Sequence, residues 1–217
     1  MLGWKAHPRY SLVVAANRDE FHGRPASPAA FWRDRPNVLA GRDLSAMGTW
    51  MGVNRSGRFA AVTNYRGARE ATAAESRGAL VTGFLATDTA PAAYMADVAS
   101  RATRYSGFNL LVCDRQELWW MSNRDGAPRK LEPGYYALGN LLLDSPEVQP
   151  VKARVAQTPP AVEPLFSVVA QAKIVNPEYG TRCSTVLLDS GKQMRYAERS
   201  FEPDGSEGAT VQFEFST

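Results

Sequence analysis

The chain has 217 residues, 44% hydrophobic and 22% charged, with a formal charge of +3; this is ordinary for a globular protein and excludes a disordered or fibrous one. No apolar run approaches the ~20 residues needed to cross a bilayer, the N-terminus lacks the apolar stretch of a secretory signal, and two cysteines, Cys113 and Cys183, are too few for a disulfide framework. Residues 1–70 hold eleven Lys/Arg against five Asp/Glu, residues 71–217 fourteen against seventeen, so the first third is basic and favours an anionic ligand.

The first element is an apolar run, Leu12-Val13-Val14-Ala15-Ala16, that stops at Asn17-Arg18-Asp19-Glu20. Polar groups at a strand end sit on a rigid support at the mouth of a cleft. Alternation puts Asn17 and Asp19 on one face and Arg18 and Glu20 on the other. The first pair is then free to meet a ligand while the second ties the strand to its surroundings; an ordinary ion-pair cluster is the competing reading. The Pro-rich stretch from Arg24-Pro25 through Pro28 to Pro36 reads as loop. Residues 48–53 and 58–65, joined at Asn54-Arg55-Ser56-Gly57, read as a hairpin.

Helical spacing follows over Glu75–Thr87, through Leu80, Val81, Phe84 and Leu85, and over Pro91–Ala102, which opens on proline. Strands return at 108–113, 117–121 and 135–139. In the Trp119-Trp120 pair alternation sends one ring to the core and the other toward a helix or pocket. Residues 147–157 and 164–173 read as helices, and 184–188, 194–199 and 210–215 as strands. Strands, paired helices, strands, helices, strands: the order fits an α+β fold with two antiparallel sheets flanked by helices, a four-layer αββα sandwich, and argues against a doubly wound parallel sheet. One domain over 1–217 accommodates it.

Five segments in order, Ala15–Phe21, Gly48–Gly52, Thr63-Asn64-Tyr65, Leu138-Gly139-Asn140 with Leu143–Pro146, and Tyr179–Thr185, resemble the NRDE-motif family, also called the transport and Golgi organization protein 2 family. That family is similar to the N-terminal-nucleophile cysteine amidases, which implies the same αββα sandwich. In those amidases an N-terminal Cys thiolate attacks an amide carbonyl with its own α-amino group as base. The resemblance implies that Arg18 and Asp19 activate the thiol and orient the amine, that Asn140 donates to an oxyanion, and that Arg182 holds a thiolate or a substrate acid. By the same matching Asn64 lines the pocket, and Asn17, Glu20 and Trp50, within the matched segments, are expected to bind ligand there; His22, two residues past Glu20, is expected at the same cleft from its position alone, with an exposed loop histidine as the competing reading.

Family members usually begin Met-Cys, whereas this sequence begins Met1-Leu2-Gly3-Trp4 and matches the family from a few residues further in. The expectation is a start placed a few residues late, with a binding-only pocket as the alternative; Ser11 and Cys113 are poor substitutes for the nucleophile. The resemblance implies roles in haem mobilisation and acyl-thioester handling. The expected function is therefore intracellular, cytoplasmic binding or trafficking of a small amphipathic anion, with haem as a transported ligand and no required cofactor. The alternative is a cysteine amidohydrolase acting on linear amides, and a purely structural role is a third option. His7 and His22 have no metal-ligand spacing, and the Arg residues are too scattered for nucleic acid. Oligomeric state is not legible.

Overall fold

The described residues, 1–67 and 74–217, of the computed structural model form strands and helices in alternating blocks. The first block is β1 (Leu2–His7), β2 (Tyr10–Phe21), β3 (Ala26–Phe31), β4 (Val38–Asp43), β5 (Met51–Asn54) and β6 (Phe59–Asn64). Helices α1 (Gly78–Leu85) and α2 (Pro91–Ser100) follow, then β7 (Phe108–Cys113), β8 (Leu118–Ser122), β9 (Arg129–Leu131) and β10 (Gly134–Tyr136). The chain ends with α3 (Gln149–Gln157), α4 (Val162–Ala170), β11 (Tyr179–Asp189), β12 (Gln193–Phe201) and β13 (Glu207–Ser216).

The strands form a six-stranded sheet, β10-β1-β2-β11-β12-β13, and a seven-stranded sheet, β3 through β9 in sequence order. Every pairing between them is antiparallel. Helices α1 and α2 lie on the seven-stranded sheet, and α3 and α4 on the six-stranded one. Three apolar layers result. Leu12, Val14, Leu187 and Tyr196 meet Leu39, Val53, Leu111 and Trp120 between the sheets. Val81, Phe84 and Met95 close one helix-covered face, and Val13, Ala15, Leu165 and Val186 close the other. This is the αββα sandwich expected from the element order.

Local rules explain most boundaries. Pro91 occupies the first turn of α2, where its missing N–H is not needed. Leu80, Val81, Phe84 and Leu85 form the buried stripe of α1. Trp120 enters the inter-sheet core, while Trp119 faces the α1/α2 side. Both cysteines are free and buried, Cys113 within the inter-sheet apolar layer.

The Pro-rich stretch is not all loop: Ala26–Phe31 is strand β3. Its place at the sheet edge explains the tolerance, because exposed Pro28 falls where the register shifts between Ser27 and Ala30 and has no ladder bond to donate. Strands β4 and β9 carry too short an apolar run to register as periodic. β11 and β13 extend beyond the apolar spans that signal them, because their polar ends pair through backbone alone.

The turn joining β5 and β6 is organised by Asn54, 5% exposed. Its Oδ1 accepts from the Ser56 N–H and Oγ and the Arg58 N–H, and its Nδ2 donates to the Leu85 carbonyl at 3.0 Å. One side chain thus fixes the turn and ties it to the end of α1. Asn54→Ala orphans these buried groups and is expected to cost about 1–3 kcal/mol in urea unfolding. An unchanged midpoint would contradict this role.

Candidate functional site

Strand β2 sets the site by alternation. Leu12, Val14 and Ala16 face the inter-sheet layer and Val13 and Ala15 face α3 and α4. Arg18 and Glu20 therefore continue on the inter-sheet side, and Asn17 and Asp19 on the helix side. Asn17 Nδ2 donates to the Val169 carbonyl of α4 at 2.9 Å, and its Oδ1 accepts from Ser184 Oγ at 2.7 Å. Asp19 Oδ1 accepts from Thr181 Oγ1 at 2.6 Å; burial raises its pKa, opposed by that bond. This reverses the expected roles of the two faces: because α4 packs on their side, Asn17 and Asp19 are the pair committed to the protein, and Arg18 and Glu20 are the pair facing the gap between the sheets.

Arg18 is 8% exposed, with its guanidinium 4.2 Å from the Trp50 ring centroid. Its nearest carboxylate oxygen is on Glu20, at 4.0 Å, and among the described residues no hydrogen bond reaches the guanidinium. Burial lowers its pKa, while Cys183, Glu20 and Asp43 favour the cation and Arg182 opposes it. The same alternation on β11 and β12 places Cys183, Thr185, Tyr196 and Glu198 on this inter-sheet face. Glu198, 3% exposed, accepts the Ala29 N–H of β3 at 2.7 Å and the Thr185 hydroxyl at 3.4 Å. Burial raises the pKa of Glu198, and burial with the adjacent Glu198 carboxylate pushes the Cys183 thiol well up, so Cys183 is not a ready thiolate.

Around this floor stands a rim of three tied segments. Glu20 also approaches Arg24 at 3.8 Å, Arg24 pairs with Asp43 at 2.6 Å, and Leu44 N–H donates to the Pro25 carbonyl. His22 N–H donates to the Glu178 carbonyl, and His22 Nε2 lies 3.0 Å from the Asn176 carbonyl. Arg182, at the bulge in β11, donates through one nitrogen to the carbonyls of Phe21 and His22. Among the described residues, its Nε and the His22 Nδ1 are buried without a hydrogen-bond partner. Three of the large exposed apolar side chains of the described residues, Phe21, Leu44 and Met47, lie on these segments, and Val175 lies against the turn at Gly205.

Opposite, the Trp50 carbonyl accepts from Val62, which leads along β6 to exposed Asn64. The Arg66 N–H donates to the Asn140 carbonyl at 2.6 Å, and Arg66 and Arg18 both favour ionisation of Tyr179. Burial, together with Asp19 and Glu20, outweighs them and raises that phenol. Asn140 is held by its backbone, with its side chain exposed. Among the described residues no three His, Cys, Asp or Glu are grouped to hold a metal. A separate groove of about 510 Å³ opens between the Arg35–Val38 and Asn54–Ser56 turns and the segment after α1, and none of the expected site residues lines it.

The family model for Transport and Golgi organisation 2 matches residues 1–161. The chain is 34% identical to the bovine Transport and Golgi organization protein 2 homolog, covering 94% of this chain and 92% of the relative. The human homolog is 32% identical, with 95% and 93% covered. The chain belongs to the Transport and Golgi organisation 2 family. A shorter match, 31% identical, covers 47% of the chain and 39% of the Drosophila melanogaster Transport and Golgi organization protein 2.

In this family member, the fold brings Arg18 beside Trp50 and Glu20 at the end of β2, with Arg182 tied to the adjoining His22 backbone; Asn64 ends β6 two residues past the Val62 that bonds Trp50, and the Asn140 carbonyl holds the Arg66 N–H. Asn17 and Asp19 lie on the other face of β2, against α4 and β11. The sequence reading missed Glu198, Gly41 and Arg66. Glu198 is nearly two hundred residues from Arg18 in the chain, and only its place one alternation beyond Met194 and Tyr196 marks it as inward-facing. No helix of the described residues is long and apolar enough to cross a membrane.

Proposed function

We propose that this protein binds and carries a small amphipathic anion, an acyl thioester or haem, in the recess at the end of β2. One observation carries the reading: Arg18 is buried on the face of Trp50 with its donors unspent. Buried polar groups are nearly always hydrogen-bonded, and a planar guanidinium matches carboxylate and phosphate oxygens. Exposed Phe21, Leu44 and Met47 supply apolar surface for the body of such a ligand. The word transport in the relatives' names agrees with a carrier.

Palmitoyl-CoA and haemin are each titrated against wild type and Arg18→Ala. At least one is expected to bind saturably, and the variant to lose about ten- to hundredfold in affinity, the size of a lost hydrogen bond to a charged group. Saturable binding that ignores Arg18, or none at all, sinks the proposal.

One observation favours a second reading, cysteine-dependent amide hydrolysis. Strand β1 is antiparallel to β2 with Leu2 opposite Val14, so its N-terminal end points toward Asn17–Glu20. A cysteine carried at that end would stand beside Arg18 and Asp19. A chain extended to begin with Cys should be labelled at its first residue by an electrophilic amide or lactone. Labelling confined to Cys113 or Cys183 counts against it.

A further inference from the structure

We infer that Glu198 is a positioning residue for the recess, and that it takes up a proton when an anion settles on Arg18. The inference rests on the anion-binding reading and adds to it a proton coupling and a residue outside the recognised motifs.

Glu198 links the two sheets. It projects from β12, takes the backbone N–H of Ala29 on β3 of the opposite sheet, and receives the Thr185 hydroxyl of β11. An edge strand otherwise leaves such an N–H unpaired, so this carboxyl fixes the seven-stranded sheet against the six-stranded one beside the recess. The Trp50 ring that supports Arg18 rests on Gly41, and a Cβ at Gly41 would lie 3.4 Å from Glu198 Oε2. Carboxyl, glycine, indole and guanidinium are therefore successive neighbours.

The groups facing Glu198 set the sign of the coupling. From β2 comes the cation Arg18, from β11 Cys183 and Thr185, and from its own strand Tyr196, whose buried hydroxyl makes no hydrogen bond of ordinary geometry among the described residues. Burial holds the Cys183 thiol and the Tyr196 phenol protonated, and Arg18 is the cation that favours the ionised carboxyl. Ionised Glu198 offsets the field of Arg18 and repels an entering anion. A bound anion neutralises Arg18, removes what favoured the carboxylate and raises its proton affinity. Linkage then requires the converse: anion affinity rises as pH falls through the titration of Glu198.

The test uses 1-anilinonaphthalene-8-sulfonate, an amphipathic anion whose sulfonate stays ionised throughout. Wild-type affinity is expected to increase about fivefold or more between pH 8 and pH 5.5. Glu198→Gln keeps an oxygen for the Ala29 N–H but carries no charge; it should bind at pH 8 at least as tightly as wild type. Any slope it retains reports other groups. Calorimetry on the wild type in two buffers of different ionisation enthalpy needs no variant and should show net proton uptake on binding. Arg18-dependent binding with neither a pH slope nor proton uptake overturns this inference alone. Binding that ignores Arg18→Ala overturns the anion reading with it.

Discussion

Trp120→Ala is expected to destabilise the protein by about 3–5 kcal/mol, the range for emptying a large aromatic site in a packed core. Trp120 is fully buried in the inter-sheet layer, on β8 opposite Leu111 of β7, with the Arg129 guanidinium 4.5 Å over its ring. This layer holds the sheets in register, so the cavity cannot close without moving one of them. Trp120→Phe separates two contributions. The indole Nε1–H is buried without an acceptor among the described residues, so phenylalanine removes an orphaned donor along with some volume. Its cost should fall below about 1.5 kcal/mol, because relief of the unpaired donor offsets part of the lost packing. Urea unfolding followed by far-ultraviolet circular dichroism measures both without depending on the removed fluorophore. Equal losses for the two variants would overturn the argument.

Gly41→Val should have the second largest effect, and should couple stability to binding. A Cβ at Gly41 collides with ring carbons Cη2 and Cζ2 of Trp50. The indole lies flat against the β4 backbone only because no side chain stands there, and that placement puts its ring 4.2 Å from Arg18. Valine must displace the ring, at about 1–3 kcal/mol of overpacking strain. With Trp50 gone from beneath it, Arg18 loses its cation–π partner and its fixed direction. Anion affinity should fall about tenfold or more, and the near-ultraviolet dichroism of the tryptophans should change. A folded variant with native affinity would show that Trp50 does not position Arg18.

The stability of the recess also depends on pH in a defined sense. Asp19 and Glu198 are both raised by burial. A carboxyl raised in the folded state favours folding while protonated. That contribution is complete below the unfolded pKa and is lost as pH rises through the folded one. Asp43 runs the other way: burial pushes it up, but Arg24 and the N–H groups of Ser45 and Ala46 hold it below its ordinary value. Its contribution is present at neutral pH and is lost in acid.

The amino-acid sequence by itself determined the layer order and the division of β2 into two faces. Both follow from local periodicity: alternate residues of a strand cannot share a face, and stripes such as Leu80, Val81, Phe84 and Leu85 have one helical solution. Five motifs in order also identified the family. What the two faces touch was decided by tertiary structure. Arg18 and Asp19 are equally polar in the chain, and only the docking of the second sheet on one side and α4 on the other sends Arg18 to Trp50 and Asp19 to Thr181. Strand β3 was hidden for a related reason, since its proline is tolerated by an edge position that no local pattern reveals. Glu198 was hidden most completely. A charged residue in a strand looks solvent-facing until an amide from the opposite sheet and a guanidinium from a distant strand make its burial possible.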